Sequence, residues 1–268
     1  SKCGSLQKIQ NVPKENIMVN VIILAGQRKG VKDSLCLNAG VSHKAVVPIN
    51  GTPMIDFVIK TLLKSNLNKP FGVSGFNADH HKCLEQLPSD DGPAGSALVA
   101  LTKKNEFPSL LTTCDHPLLS TDMIKIFVEK AQRNGADFSM AFAEKSIIQD
   151  SYPEVKRTYW NFSDISVSGC NLFYIANPQG LAIFQYWKKV QHLRKNPIKL
   201  ATNISWFLLI KYLLGRLKLK EAFNHISIKL NLSAKAVIIP IAEAAIDVDK
   251  PADKDLVEEI LKGPKYAS

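Results

Sequence analysis

Charged residues gather at a few points of this chain where they can do phosphate or ligand chemistry. After the apolar, β-branched run 19–24 the sequence turns to Ala25-Gly26. A cationic loop with Arg28, Lys29 and Lys32 follows, and a second cationic point, Lys44, lies further on. Small residues at the carboxyl end of a strand let backbone N–H groups approach phosphate oxygens, and Arg and Lys balance the charge. The same pattern also fits an ordinary strand followed by a solvated loop. Asp115 ends another apolar run, 109–114. Open α/β sheets bind ligands at the carboxyl ends of their strands. Asp247 and Asp249 stand together in AIDVD near the end of the chain.

Other reactive residue types form weaker constellations. His80, His81 and Cys83 have metal-ligand chemistry, but their spacing fits no zinc pattern and no second ligand pair follows. His43 and His116 flank the charged points and read as hydrogen-bonded structural residues. Cys114 lies in an apolar run and reads as a buried, inert thiol, and GxSxG is absent.

Strands alternating with helices must position these groups. Apolar runs predict strands at 19–24, 71–74, 109–114, 136–143, 168–175 and 234–240. Helices are expected at 54–63, with Thr52 as cap and Pro53 first, and at 79–86, 96–101, 123–133 and 251–261. Residues 87–95 are rich in turn formers. Residues 178–230 read as a mostly helical block that interrupts the alternation, and within it 204–214 reads as a buried helix too short to span a bilayer. Alternation with short connections implies a mostly parallel sheet covered on both faces. The expectation is one domain over 1–268, with 1–18 peripheral and a helical insertion near 178–230.

Composition narrows the partners. The chain has 268 residues, 46% hydrophobic and 22% charged, which is ordinary for a globular protein. A net charge of +10 favours anionic partners. The bases are scattered, without an arginine-rich block or aromatic-interleaved stripe, so nucleic acid is not the expected partner. Five cysteines, odd in number and without a CxxC pair, fit reduced thiols and a cytoplasmic location. The segment before residue 19 does not read as a signal peptide.

Four ordered blocks resemble the MobA-like nucleotidyltransferases, a family that includes molybdenum-cofactor guanylyltransferase, adenosylcobinamide-phosphate guanylyltransferase and sugar-phosphate nucleotidyltransferases. LAGQRKG with Lys44 is similar to the family's glycine-rich loop and lysine, although it is shortened before Arg28, lengthened before Lys44 and lacks the second glycine pair. Gly92-Pro93-Ala94-Gly95-Ser96 is similar to the GPLAG segment that lies against the nucleobase. TTCDHP resembles the strand-end CDxP, and IDVDKPADKDL the NTPEDL-type segment.

The resemblance implies a three-layer, Rossmann-like (GT-A type) fold and transfer of a nucleoside monophosphate from a nucleoside triphosphate to a phosphorylated small-molecule acceptor. It implies nucleotide contacts at Leu24, Ala25, Gly26, Arg28, Lys44, Gly92, Pro93, Gly95 and Ser96, with Lys44, Arg28 and Asp115 catalytic. Asp115 and Asp249, with Asp247 able to substitute, would bind Mg²⁺ or Mn²⁺, and Ser168 and Asn171 would face the acceptor. Two alternatives stay open. One is a nucleotide-sugar-dependent glycosyltransferase using the pair Asp247-Val248-Asp249; the other is a non-catalytic nucleotide-binding protein.

Overall fold

The computed structural model describes residues 18–27, 33–77, 79, 81–191 and 205–264. Arg28, Lys29, Lys32 and His80, most of the N-terminal segment and 192–204 of the expected helical block lie outside the described residues.

Eight strands of the described residues form one sheet: β1 (Asn20–Leu24), β4 (Phe71–Ser74), β5 (Leu84–Leu87), β6 (Ser109–Thr113), β7 (Phe138–Glu144), β8 (Trp160–Asn161), β9 (Ser166–Ile175) and β10 (Ala234–Ile238). Their order is β10-β7-β9-β6-β1-β4-β5, with β8 paired to β9. β1 runs parallel to β4 and β6, β4 parallel to β5, and β7 parallel to β10. β9 is antiparallel to both β6 and β7.

The central strand is buried on both faces, and this is why it reads as an unbroken apolar run. Side chains alternate across a strand. Val21 and Ile23 therefore join one core with α2 (Met54–Leu63) and α4 (Thr121–Asn134), through residues such as Ile55, Val58, Met123 and Phe127. Ile22 and Leu24 join a second core with α3 (Gly92–Lys104), α6 (Leu181–Val190) and α8 (Leu219–Leu230). The result is a three-layer, mostly parallel α/β sandwich of Rossmann-like type. A third, smaller core packs α1 (Ser34–Ala39) and the hairpin β2 (Pro48–Ile49) and β3 (Thr52–Pro53) against α9 (Pro251–Lys262). It draws the last of the described helices next to the first. Two shorter helices, α5 (Lys145–Ser151) and α7 (Trp206–Leu213), complete the described elements. None of the described helices is long and apolar enough to cross a membrane.

Four expectations fail locally, each for a physical reason. The helix expected at 79–86 does not form among the described residues: Leu84–Leu87 pairs with the open edge of β4, from Phe71↔Leu84 to Ser74↔Leu87, and ladder pairing outweighs the helix preference of Leu, Glu and Gln. Thr52 does not cap α2, because Thr52-Pro53 pairs with Pro48-Ile49 and Pro53 occupies the cap position. The segment Gly92–Ser96 is not a turn before a helix but the helix's own first turn, entered by Gly92 at φ +74°. The apolar stretch around α7 is not buried: Leu208 is, whereas Trp206 and Leu213 are 67% and 71% exposed. Its attachment runs instead through the Lys211–Glu221 ion pair and the edge contact of Tyr212 with Phe162.

Phe138 anchors the second core, 1% exposed and packed edge-on against Phe184 and Trp187 at 5.9 and 6.1 Å. Phe138→Ala is expected to lower unfolding free energy by about 3–5 kcal/mol in urea with an unchanged m-value. A loss below about 1 kcal/mol would show that the aromatic cluster closes over the gap.

Candidate active site

β1, β4 and β6 end on one edge of the sheet, and their final residues are cross-linked: Ala25 N–H donates to Ser74 O at 2.8 Å and Cys114 N–H to Leu24 O at 3.0 Å. The chain then crosses that edge as Ala25-Gly26. Gly75 backs this crossing at φ +88°; a Cβ there would lie 2.5 Å from Gly26 Cα. A side chain at Gly75 would therefore lift the loop, whereas a Cβ at Gly26 would meet only Ser96 Oγ, at 4.0 Å. Gln27 ties the loop to the next charged group, since its Oε1 accepts from Lys44 N–H at 3.0 Å and its Nε2 donates to Ser42 O at 3.4 Å. His43 caps the 3₁₀ turn Lys44–Val46: Nδ1 accepts from Ala45 N–H, so Nε2 carries the proton and donates to Gly75 O, both at 3.1 Å.

From that turn Lys44 reaches two carboxylates. Its ammonium donates to Asp115 Oδ2 at 2.7 Å and to Asp249 Oδ1 at 2.6 Å. Asp115 follows β6 and accepts Val248 N–H on its carbonyl at 2.8 Å, locking the AIDVD segment beside the strand end. Asp253, in the first turn of α9, accepts the N–H groups of Asp249 and Lys250 at 3.0 and 3.1 Å. Asp247 is ion-paired with Arg157 and accepts Asn171 Nδ2 at 2.8 Å. One carboxylate oxygen from each of Asp115, Asp247 and Asp249 lies within 4.8 Å of the others.

The charges act on one another strongly. Burial works to lower the Lys44 pKa, but Asp115 and Asp249 outweigh it and hold the ammonium well above the usual lysine range. Burial raises Asp247, with the neighbouring carboxylates adding to it and Arg157 opposing it. Beneath the cluster His116 is 1% exposed; its Nε2 bonds Glu243 O at 3.0 Å and its Nδ1 has no partner among the described residues. Burial lowers its pKa, so the ring is neutral.

Of the residues singled out in the sequence, Leu24, Ala25, Gly26, Lys44, Asp115, Asp247 and Asp249 converge on this edge. Gly92, Pro93, Gly95 and Ser96 form the neighbouring first turn of α3, where Ser96 Oγ donates to Asp90 O at 2.8 Å. Asn171 joins the cluster through Asp247, and Ser168 lies near it on β9.

Two cavities open here. One, about 310 Å³ and mainly apolar, is lined by Leu24, Pro93, Ala97, Thr113, Phe173 and Trp187 among others, between α3, α6 and the sheet. The other, about 340 Å³ and polar, includes Lys156, Arg157, Trp160, Ser168, Asp249 and Lys250. Gln27, Arg157 and Trp187 were not picked out by sequence. Gln27 had one available signal, since it stands where the glycine-rich loop would carry glycine; Arg157 had only the aromatic and basic mixture of 152–162.

Residues 21–195 match the family model for the MobA-like NTP transferase domain. The chain belongs to this family. The MobA-like match takes in Lys44, Gly92 and Asp115 but stops short of Asp247 and Asp249, which reach the same edge through the fold. Among solved structures the chain is similar to a hypothetical transferase from Thermus thermophilus, 28% identical, covering 89% of this chain and all of that one, with a TM-score of 0.76. CMP:2-keto-3-deoxy-manno-octonic acid synthetase complexed with CTP (9% identity, 91% of this chain and 98% of that chain, TM-score 0.57) shares the fold. So does 4-diphosphocytidyl-2C-methyl-D-erythritol synthase from Anaerococcus prevotii (9%, 92% and 97%, 0.54). Comparison with curated proteins returns no match.

Two outcomes follow from this geometry. Gly40 also has positive φ, +66°, but open space around its Cβ position. Gly40→Ala should therefore cost about 1 kcal/mol, and Gly75→Ala clearly more, because backbone must move; thermal melts of both variants decide. Second, His116 has a folded-state pKa below its ordinary value of about 6.5, as does His43, lowered by its own burial. The unfolded chain then binds protons first, so stability should fall as pH drops below about 6.5, and His116→Gln should reduce that slope in urea titrations across the range.

Proposed function

We propose that this MobA-like chain is a divalent-metal-dependent nucleotidyltransferase that moves a nucleoside monophosphate from a nucleoside triphosphate to a phosphorylated small molecule, releasing pyrophosphate. The observation that carries this reading is the Lys44 ammonium held between Asp115 and Asp249, beside the Leu24-Ala25-Gly26 crossing at the sheet's ligand-binding edge. In this reading residues 1–268 act as one domain, the triphosphate runs along Leu24–Gly26 with Arg28 and Lys44 on its phosphates, and the first turn of α3 faces the nucleobase.

The carboxylates fit a hard cation. They are all-oxygen donors within reach of one another, and Asp115 Oδ1 is buried without a hydrogen-bond partner among the described residues. Asp247 is already committed to Arg157 and Asn171, so Asp115 and Asp249 are the ligands assigned here, with Asp247 adjacent. That engagement also favours nucleotidyl transfer over a glycosyltransferase built on the 247/249 pair. Mg²⁺, or Mn²⁺, supplies charge neutralisation at the triphosphate when bound.

The chain's own groups do the rest. An acceptor phosphate oxygen forms a bond to the α-phosphorus while the bond from that phosphorus to the β-bridging oxygen breaks, and the electron pair leaves with pyrophosphate. A phosphate monoester has its second pKa near about 6, so the nucleophile is already anionic at neutral pH and needs no strong base. The obstacle is bringing polyanions together. At about 4 Å opposite unit charges attract by about 4 kcal/mol at an effective dielectric of about 20, against about 1 in water. Lys44, protonated throughout the working pH range, can pass from carboxylate to phosphate oxygens as the substrate arrives.

The test is a pyrophosphate-release screen of the four common triphosphates against phosphorylated sugars and alditols, with Mg²⁺ and then with chelator. Turnover should vanish with chelator, nearly vanish in Asp115→Ala, and fall about a hundredfold or more in Lys44→Ala. Near-normal turnover of Asp115→Ala at saturating Mg²⁺ would overturn the assignment.

A further inference from the structure

α7 turns an apolar stripe outward. At 3.6 residues per turn, Trp206, Phe207, Ile210, Leu213 and Leu214 fall within an arc of about 120°. Trp206, Phe207, Leu213 and Leu214 are 67%, 58%, 71% and 62% exposed. The opposite side of the helix is the one that docks: Leu208 is buried, the Tyr212 ring meets Phe162 edge-on, and its hydroxyl accepts Asn161 N–H at 3.2 Å.

Cations border the stripe. Gly215, at φ +63°, turns the chain back after α7, and Arg216 N–H donates to Lys211 O at 2.8 Å, so the following stretch is held against the helix end. Leu217 and Leu219 are buried while Arg216, Lys218 and Lys220 are exposed. That stretch rests on the segment that also carries Tyr212: Ser163 N–H donates to Leu217 O at 2.8 Å and Asp164 accepts Leu219 N–H at 3.0 Å. Two inner sides seated on residues 161–164 leave the stripe and the three cations on a shared outer surface. Acids do not cancel this charge. Ten of the chain's 34 Lys and Arg fall in 181–230 but one of its 24 Asp and Glu, Glu221, which is ion-paired with Lys211. The asymmetry comes from missing acids rather than from clustered bases.

Charge decides among the occupants of such a face. A two-fold contact with a second copy through the stripe would set the cations of one copy beside those of the other. Single-stranded nucleic acid uses aromatic platforms, and Ile210, Leu213 and Leu214 give a base nothing to stack on. A bilayer with anionic headgroups satisfies both features: apolar side chains enter the edge of the acyl region, Trp sits at the headgroup level, and Lys and Arg meet the lipid phosphates.

We infer that α7 and the stretch after it are a peripheral docking surface for an anionic bilayer, with Trp206, Phe207, Leu213 and Leu214 inserted and Arg216, Lys218 and Lys220 on the headgroups. The helix lies in the interface and does not span it, being 8 residues long. The inference stands apart from nucleotidyl transfer and uses none of that site's residues.

Co-sedimentation of the full chain with vesicles tests it, using phosphatidylcholine alone or with about one-third phosphatidylglycerol. The parent should bind the anionic vesicles at about 0.1 M salt, bind them more weakly at about 0.5 M, and leave phosphatidylcholine unbound. Arg216→Gln/Lys218→Gln/Lys220→Gln and, separately, Trp206→Ser/Leu213→Ser/Leu214→Ser should each weaken binding by about tenfold or more. Both sets change exposed side chains, so melting temperatures should stay within about 2 °C of the parent, which verifies folding. Anionic vesicles should also shift tryptophan emission to the blue in the parent and much less in Trp206→Phe. No binding to anionic vesicles, equal binding to phosphatidylcholine, or full binding by either triple variant would overturn the inference. So would a vesicle-free parent dimer that the Ser variant dissociates, since that result gives the stripe to a second copy.

Discussion

One ammonium group holds the functional edge together. Lys44 bonds Asp115, 71 residues away, and Asp249, 205 residues away, so the segment after β1, the end of β6 and the segment before α9 meet at a single charge. Three carboxylates crowd within 4.8 Å, and like charges so placed repel unless cations intervene. Among the described residues, Lys44 and Arg157 are the cations paired with these three carboxylates, one fewer than the groups they face. Burial and its acidic neighbours raise Asp247 against the pull of Arg157, the response expected of a group short of positive charge. An arrangement that is underneutralised and oxygen-rich is chemically disposed toward a further cation.

The elements around this edge follow from that requirement. A parallel sheet delivers several strand ends to one side, and the ladder bonds of Ala25 and Cys114 keep those ends level. α9 packs on α1 and the β2–β3 hairpin, and its first turn holds Asp249 by the Asp253 carboxylate. The carboxyl-terminal helix is therefore part of the site's support, although the family match ends at residue 195. Near this edge the described residues line two contrasting surfaces: an apolar crevice under α3 and α6, and a polar recess that sets Lys156, Arg157 and Lys250 beside Asp247, Asp249 and Asp253.

Much of this was legible in the sequence wherever the signal is local. The apolar runs located β1, β4, β6, β7, β9 and β10 because buried strands need little context to be read. Lys44, Asp115 and Asp249 were legible through ordered blocks, and Asp115 also through its place directly after such a run. What escaped depends on distant partners. Residues 84–87 became a strand because β4 offered an open edge. The helix preference of the same residues was the only information available locally. Arg157 pairs with Asp247 across 90 residues, and no spacing announces that. Exposure of the helix at 206–213 was equally hidden, since an apolar run does not say whether anything covers it.

The shortened glycine loop is where local and distant information meet. Glycines in such loops let backbone approach closely, and here Gln27 directly follows Gly26. The replacement does not fill the crossing with a free side chain. Gln27 turns back to accept the Lys44 amide and to donate to Ser42, while the close approach is kept by Gly26 against Gly75. The close backbone approach is made by glycines at two strand ends, and Gln27 braces the lysine on which the cluster depends. Gln27 thus sets how Lys44 is held, while the Ala25-Gly26 backbone keeps its close approach to Gly75.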